Sequence, residues 1–223
     1  MPRVGAPVQI RVGNDIASFL PPPADGGLAA AASFAALGAG APVPAAAARG
    51  VAVARAHRER GGDLVQLISA ELPADASWPA LPASTGLVVV DREGMAVACA
   101  FTMNNLFGTG RVAPGTGILL AAAPGIGQVT PPLLSAGIVH NPSLRAFRAG
   151  AAGSGQHMAP MAVAAALAGS LRGQDAGPSL AAVPEPGRGV AVGCTRYLPG
   201  VETSCTAAAD PRGAGLALGA ADR

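Results

Sequence analysis

Residues 84–105 read STGLVVVDREGMAVACAFTMNN, and this stretch determines the class of fold that the sequence predicts. Its two apolar runs, GLVVVD and MAVACAFTM, are rich in valine and bounded by turn residues, as β-strands commonly are. Between the runs, DREG places Asp91 at the first position of a tight turn and Gly94 at the last. The stretch therefore predicts two β-strands paired as an antiparallel hairpin.

Small polar residues lie at the open end of this predicted hairpin. Ser84 and Thr85 precede the first valine-rich run, and Thr102 to Asn105 close the second run. Because the two strands of a hairpin run back alongside each other, these groups are expected to meet at one end of a sheet. That position makes them the first candidates for a functional site.

Composition limits the kind of core and the kind of partner that the chain can have. Half of the residues are hydrophobic, but only 3% are aromatic and 13% charged, so the core must consist mostly of Ala, Val and Leu. All fifteen basic residues are arginines scattered along the chain, which excludes a nucleic-acid surface from our expectations. The absence of lysine excludes a P-loop and any Schiff-base mechanism.

Cysteine and histidine spacing predicts no metal site. The three cysteines form no C-x-x-C pair and the three histidines form no H-E-x-x-H motif. We expect neither a metal nor a cofactor. Cys194 and Cys205 could form a disulfide in an oxidising compartment, but the sequence favours two free buried thiols.

Two long stretches without charge raise the question of a membrane span. The stretch from Arg111 to Arg145 contains five prolines, and the stretch from Arg148 to Arg172 has polar residues and a proline in its first half. What remains apolar is shorter than the ~20 residues of a spanning helix, so we expect buried protein and no membrane partner. The N-terminus has no apolar signal core, which leaves a cytoplasmic or a periplasmic location open.

The rest of the sequence predicts helices before the hairpin, and strands with one helix after it. VQIRV favours a strand, LAAAASFAAL a helix ending at Gly38, and residues 45–60 a second helix. The proline-rich residues 71–83 favour an exposed connector and a domain boundary. After the hairpin, TGILLAAAP, LLSAGIVHN, GVAVGCTRY and CTAAADPRG favour strands, and GAAGSG (150–155) favours a loop. HMAPMAVAAALAGSLR is apolar nearly all round and predicts a buried helix.

At these residues the chain resembles the gamma-glutamyltransferases, members of the N-terminal-nucleophile hydrolases. In that family a precursor cuts itself, and the new small subunit begins with a threonine nucleophile. The family shows T-T-H-x-S-V-V-D-x-x-G-x-A-V, then Y-T-L-N-x-x-F-G-T-G, then S-G-I-L-x-N-N. This chain has S-T-G-L-V-V-V-D-R-E-G-M-A-V, then F-T-M-N-N-L-F-G-T-G, then T-G-I-L-L-A-A, without gaps over about forty residues.

The resemblance extends over nearly the whole chain. PPPADGG and the helix after it resemble the end of the family's large subunit, RAGAAGSGQHM its T-G-S-P-G-G-S-R loop, and AAADPRG its terminal S-D-P-R. It implies an α+β fold, a partial αββα sandwich of the N-terminal-nucleophile type. Residues 1–83 would be the end of a large-subunit-like region with a connector, and residues 84–223 the small-subunit-like catalytic region. The front of a large subunit is missing, with the arginine that grips the substrate's carboxylate, so that upstream region is an expected partner.

The resemblance gives roles to the polar residues of the hairpin. Counting back from Asp91 without a gap places Ser84 at the nucleophile position, and a slip of one residue would place Thr85 there instead. Either hydroxyl would first cut the preceding peptide bond and then use its own freed amine as a base. Thr102 and Asn104 match the family's Thr and Asn, which hold the nucleophile's hydroxyl and the substrate's amino-acid group.

Gly153 and Ser154 match the paired glycines whose backbone N–H groups form the family's oxyanion hole. Serine keeps that N–H group, so the hole would survive the replacement. A structural role is the alternative for every residue of the predicted site, because small polar residues commonly end loops, bond across strands or cap helices. We expect His140, His157 and Arg212 to be structural, with Arg212 in an ion pair.

The residues expected around the substrate depart from the family's pattern. The family follows its Gly-Ile-Leu strand with N-N-x-x-D-D, whose acid pairs with the substrate's ammonium, but residues 121–126 are AAAPGI. The family's adjacent serines fall on Pro132 and Leu133. A zwitterionic head group needs charged or hydrogen-bonding partners once it leaves water, so glutathione is a poor candidate. The sequence predicts a more apolar small-molecule amide, or loss of activity.

Two functions therefore remain as hypotheses. The first is a gamma-glutamyltransferase-like amide hydrolase or acyltransferase that cleaves itself and works through an N-terminal Ser or Thr. The second is a non-catalytic homologue that keeps the fold as a binding or structural subunit. An unrelated small-molecule-binding domain would require the forty-residue match to be chance.

Overall fold

The computed structural model describes residues 4–73, 84–122 and 132–219. The strands in these ranges are β1 (Val8–Val12), β2 (Asp15–Phe19), β3 (Ser84–Val90), β4 (Ala96–Thr102), β5 (Ser135–Asn141), β6 (Ala146–Ser154), β7 (Arg188–Leu198) and β8 (Cys205–Ala209). The α-helices are α1 (Asp25–Gly38), α2 (Val43–Arg60), α3 (Leu64–Ser69), α4 (Ala159–Leu171) and α5 (Ala176–Ala181).

Two antiparallel sheets are formed by the described residues. The larger has six strands in the order β1-β2-β5-β6-β7-β8, and the smaller is the predicted hairpin of β3 and β4. In the larger sheet, β2 pairs with β5, for example Ile16 with His140. Strands from before and after the predicted boundary at 71–83 therefore share one sheet. The predicted connector itself lies mostly outside the described residues.

The six-stranded sheet separates the helices from the hairpin, as two residues on opposite faces of β6 show. A Cβ on Gly150 would lie 3.1 Å from the Val88 side chain of the hairpin. A Cβ on Gly153 would instead overlap the carbonyl oxygen of Ala159 in α4. Successive residues of a strand face opposite sides of the sheet. The layers are thus helices, six-stranded sheet and hairpin, which confirms the predicted α+β class.

Alanine dominates the core between the helices and the large sheet, as the composition predicts. In α4, every residue from Ala159 to Ser170 is buried, which confirms a helix that is apolar all round. Small side chains let the helices approach closely: a Cβ on Gly50 of α2 would lie 2.7 Å from the carbonyl oxygen of Ala29 in α1. Within the described ranges no helix is both long and apolar enough to cross a membrane.

One buried carboxylate fastens α1 to the C-terminal end of α2. Asp25, at the start of α1, accepts hydrogen bonds from Arg58 Nε and Nη2 at 2.8 and 2.6 Å. His57 Nδ1 lies 3.0 Å from the other carboxylate oxygen of Asp25. The helix then ends at Gly61, whose φ of 65° places it in the left-handed region that favours glycine. The last-turn basic residues of α2 thus serve to lock two helices together.

Two predicted elements are wrong in the structure. GAAGSG was expected to form a loop, but residues up to Ser154 belong to β6, and the turn begins only at Gly155. TGILLAAAP was expected to form a strand, but its described part contributes only an isolated bridge between Val112 and Leu119. Positive φ angles at Gly115 and Gly117 turn the chain there before a strand can develop. The sequence also did not predict β2, α3 or α5.

The expectation of two free buried thiols at the end of the chain is also wrong. Cys194 and Cys205 form a disulfide. They are directly opposite each other in the register of β7 and β8, so the pairing of those strands brings the sulfur atoms together. Cys99, in β4, is the free cysteine.

Candidate functional site

The hairpin places Ser84 directly opposite Thr102. The DREG turn is formed as predicted, with the Gly94 backbone N–H donating to the Asp91 carbonyl at 3.1 Å. From that turn the register runs without a shift to the last pair, Ser84 with Thr102. Both side chains lie on the half-buried inner face of the hairpin. The predicted meeting of polar residues at the open end of the hairpin is therefore confirmed.

The stacking of the hairpin on β6 carries Ser84 toward Ser154. A Cβ on Gly86 would lie 2.7 Å from the Cβ of Ala152, and Gly150 approaches Val88 in the same way. The contacting pairs are thus Gly86 with Ala152 and Val88 with Gly150, so the two strands run in opposite directions along the contact. Continued toward the start of β3, this series puts Ser84 at the level of Ser154, because side chains recur on one face every second residue.

Thr85, the alternative nucleophile, faces the other way. It is exposed on the outer face of the hairpin, opposite Phe101. Ser84 and Thr85 therefore point to opposite sides of the hairpin. Ser84 shares its side with Thr102.

Asn104 continues from β4 in a constrained backbone conformation. Its φ is 60°, a left-handed value that asparagine tolerates better than most residues. Its backbone N–H donates to Thr102 Oγ1 at 3.0 Å, and its Nδ2 donates to the carbonyl of Ala122 at 2.7 Å. Only 7% of the residue is exposed. Asn104 thus fastens the loop of residues 103–122 to the end of the hairpin.

Gly153 and Ser154 are the last two residues of β6. Gly153 pairs with Ser135 of β5 on one side and with Gly189 of β7 on the other, and Ser154 pairs with Arg188. Any larger residue than glycine at 153 would overlap the first turn of α4. The packing of the helix therefore explains this glycine independently of catalysis. Ser154 faces the hairpin, on the same side of the sheet as Ala152.

A cleft of about 460 Å³ opens beside this end of the hairpin. The polar residues of its lining include Ser154, Arg188 and Asp210, and most of the rest of the lining is glycine and alanine. The sequence did not point to Arg188. Only its place after the turn-forming EPG could have indicated that it begins a strand next to the predicted site.

Arg212 is structural, as predicted. Its Nη2 lies 2.7 Å from Asp210 Oδ2, and its guanidinium also donates to the carbonyls of Leu180, Val183 and Gly187. Burial acts to raise the pKa of Asp210, but hydrogen bonds from the side chain and backbone of Arg212 lower it by more, so the net pKa lies below its usual value.

His157 follows the turn after Ser154, and the structure leaves one of its ring nitrogens buried without a partner. Among the described residues, no hydrogen bond reaches its Nδ1. Burial lowers the pKa of this imidazole, which favours the neutral ring at physiological pH. No group of three or more His, Cys, Asp and Glu side chains in the described ranges is arranged to hold a metal ion.

Comparison with known protein families and with curated proteins identifies no relative. No model of a known protein family matches this chain, and no curated protein matches it significantly. The geometry of the site must therefore support a function on its own.

Proposed function

We propose that this chain is an N-terminal-nucleophile hydrolase of the gamma-glutamyltransferase type, with Ser84 as its nucleophile. The observation that carries the proposal is the pairing of Ser84 with Thr102 at the open end of a hairpin whose inner face stacks on β6 at Ala152. The substrate is a small-molecule amide, whose acyl group is released to water or transferred to an acceptor amine.

The layer order supports this assignment as far as it goes. Helices, a large sheet and the nucleophile-bearing hairpin form three of the four layers of an αββα sandwich. The fourth layer would lie on the outer face of the hairpin, which presents half-exposed apolar side chains: Leu87, Val89, Val97 and Phe101. In the proposal, a missing upstream region covers that face.

Self-cleavage comes first in the proposed mechanism. The Ser84 hydroxyl attacks the carbonyl carbon of Ala83, the peptide C–N bond breaks, and the acyl group moves to the serine oxygen as an ester. Water then hydrolyses the ester, which leaves a carboxylate on Ala83 and a free amino group on Ser84. Because β1 and β2 lie in the same sheet as β5 to β8, the two resulting chains remain associated through that sheet.

The freed amine is then the general base of the catalytic cycle. It takes the proton of the Ser84 hydroxyl while the oxygen attacks the substrate's carbonyl carbon, and it returns that proton to the departing amine. Thr102 accepts the backbone N–H of Asn104 and stands opposite Ser84, so it fixes the position of the hydroxyl. The acyl ester on Ser84 is finally cleaved by water or by a second amine.

A non-catalytic binding or structural subunit is the second candidate, and two observations favour it. Gly153 lies inside the β6 ladder between two neighbouring strands, where N–H groups normally serve the sheet. The Asn104 amide is already bonded to the carbonyl of Ala122. Both residues thus have structural roles that need no substrate.

Mass spectrometry of the purified protein separates the two functions. The enzyme hypothesis predicts two fragments divided between Ala83 and Ser84, and an intact chain for Ser84→Ala. Ser84→Thr retains a hydroxyl and should still cleave, and Thr85→Ala is the matched control that should cleave like the natural sequence. One intact chain after prolonged incubation of the natural sequence would favour the structural subunit. Cleavage lost in Thr85→Ala but kept in Ser84→Ala would move the nucleophile to Thr85.

A further inference from the structure

The cleft at the candidate site continues into a second cavity along the edge of β3. The second cavity, of about 500 Å³, lies between the hairpin, strands β7 and β8, and residues 216–219. The two spaces share Val190 and Leu216 in their linings. These two adjacent cavities are together called the acyl trough, which extends from Ser154 and Arg188 to Arg92 and Glu202.

The end of the acyl trough at the candidate site can hold a polar group. Arg188 lines it and, within the described residues, makes two hydrogen bonds, to the Gly187 carbonyl and to Glu185 Oε1, so three of its five N–H groups have no partner among these residues. The neighbouring Arg212 differs, because five hydrogen bonds to Asp210 and backbone carbonyls already occupy it. Glu185 is 64% exposed, and an ion pair that exposed is weak enough for a ligand to displace.

The middle of the acyl trough is apolar. Val88 and Val90 of β3 and Leu198 of β7 line it, and Leu216 and Leu218 form its outer rim. Val192 packs on the hairpin side of the large sheet, and Ala207 is its cross-strand partner, so Ala207 faces the same space. The cavity's volume is within the range of about 300–1,000 Å³ that is usual for small-molecule sites.

An exposed ion pair marks the far end. Arg92 Nε lies 3.4 Å from Glu202 Oε2, and both residues line the cavity. At about 3.3 Å per residue, the run of β3 from Ser84 to Val90 gives the trough a length of about 20 Å. A ligand along it therefore meets polar groups, then an apolar stretch, then charge again.

We propose that the acyl trough binds the acyl part of the substrate as an extended straight hydrocarbon chain. The carbonyl lies at Ser154 and Arg188, beside the end of β3 that begins with Ser84, and the tail runs along β3 toward Arg92 and Glu202. The occupant is a straight-chain fatty acyl group, because charged residues lie at the two ends of the acyl trough and mainly apolar residues line the stretch between them. The assignment of this chain as the substrate rests on the proposed function, whereas the binding of the chain does not.

Binding of straight-chain fatty acids to the Ser84→Ala protein tests the inference without requiring turnover. Titration calorimetry with the even-numbered series from hexanoate to docosanoate should show Kd falling about fourfold for each buried methylene. The fall should stop when the chain reaches the Arg92–Glu202 pair. A Kd that does not depend on chain length, or that keeps falling through the whole series, would overturn the proposal.

Filling the trough gives the sharper test. Ala207→Phe should weaken decanoate binding about 15-fold, the equivalent of two buried methylenes. Ala207→Val should weaken it less and guards against a folding defect in the larger variant. Val97→Phe, on the exposed outer face of the hairpin, is the matched control and should leave binding unchanged. Equal binding by all of them would place the ligand elsewhere.

Arginine variants on β7 test the polar end. Arg188→Gln should weaken every acid of the series by a similar factor, since each has the same carboxylate. Arg196→Gln, an exposed residue of the same strand, is the control and should have no effect. If Kd depends on chain length as expected but the natural protein never cleaves itself, fatty-acid binding in the acyl trough is supported and the proposed hydrolase reaction is rejected. If the natural protein cleaves itself but Kd does not depend on chain length, the proposed reaction is supported and binding in the acyl trough is rejected.

Discussion

Replacing Gly86 with alanine tests the stacking of the hairpin on the large sheet, on which the candidate site depends. Gly86 lies two residues after Ser84 on the same face of β3. A Cβ at this position would lie 2.7 Å from the Cβ of Ala152 and 3.1 and 3.2 Å from its backbone carbon and oxygen. Two nonbonded carbon atoms prefer about 3.5–4.0 Å, so the hairpin must move away from β6 by roughly 1 Å.

The expected cost is that of overpacking a core, about 1–3 kcal/mol of the free energy of unfolding. The strain is not relieved by a rotamer change, because neither alanine has a side-chain torsion that moves its Cβ. Urea unfolding of the Ser84→Ala background, which keeps every sample a single chain, measures the effect. With a urea dependence of about 2 kcal/mol per M, a loss of 2 kcal/mol moves the midpoint down by about 1 M.

The double variant Gly86→Ala/Ala152→Gly makes the prediction specific. Removing the Ala152 Cβ takes away the closest atom, so the two changes together should cost less than the sum of the single changes by about 1 kcal/mol or more. Gly38→Ala is the control, because nothing lies within 4 Å of a Cβ built there. Under the proposed mechanism, Gly86→Ala should also slow self-cleavage before Ser84, since it moves the start of β3 away from Ser154.

A Gly86→Ala variant as stable as its parent would refute this reasoning. So would costs that simply add in the double variant. Either result would mean that β3 does not rest on β6 at Ala152. The register that brings Ser84 to Ser154 would then be lost, and with it the main support for the proposed site.

Two further predictions concern the last strands. Thiol titration of the unfolded, unreduced protein should find only Cys99, and titration of all three thiols would contradict the disulfide. Cys205→Ser should lower the free energy of unfolding in urea by about 2–3 kcal/mol, because the disulfide closes a loop of 11 residues. The pKa of Asp210 is lowered in the folded state, so its stabilising effect is present above the unfolded value of about 3.9 and disappears as the pH falls through the folded pKa. Asp210→Asn should therefore lower stability at neutral pH and flatten its fall below about pH 4, whereas parallel stability curves for the two proteins would show that this carboxylate is not responsible.

Local patterns predicted the elements that hold the site. The hairpin of β3 and β4 follows from two valine-rich runs joined by DREG, and the burial of α4 follows from a helix with no polar face. Both depend on residues a few positions apart, which the sequence displays directly. The same local patterns misplaced the end of β6. Its small residues are typical of a loop in the sequence, but in the structure they allow α4 to pack closely on the strand.

The sequence by itself determined the antiparallel hairpin and the meeting of its polar residues at one end, because turn chemistry and a two-residue period place neighbouring strands side by side. Only the tertiary structure decided that Ser84 lies toward Ser154, that Cys194 bonds to Cys205, and that Arg188 borders a cleft. These depend on which strands become neighbours and how one sheet lies on another. Such contacts are set by the packing of side chains far apart in the sequence, and no local spacing encodes them.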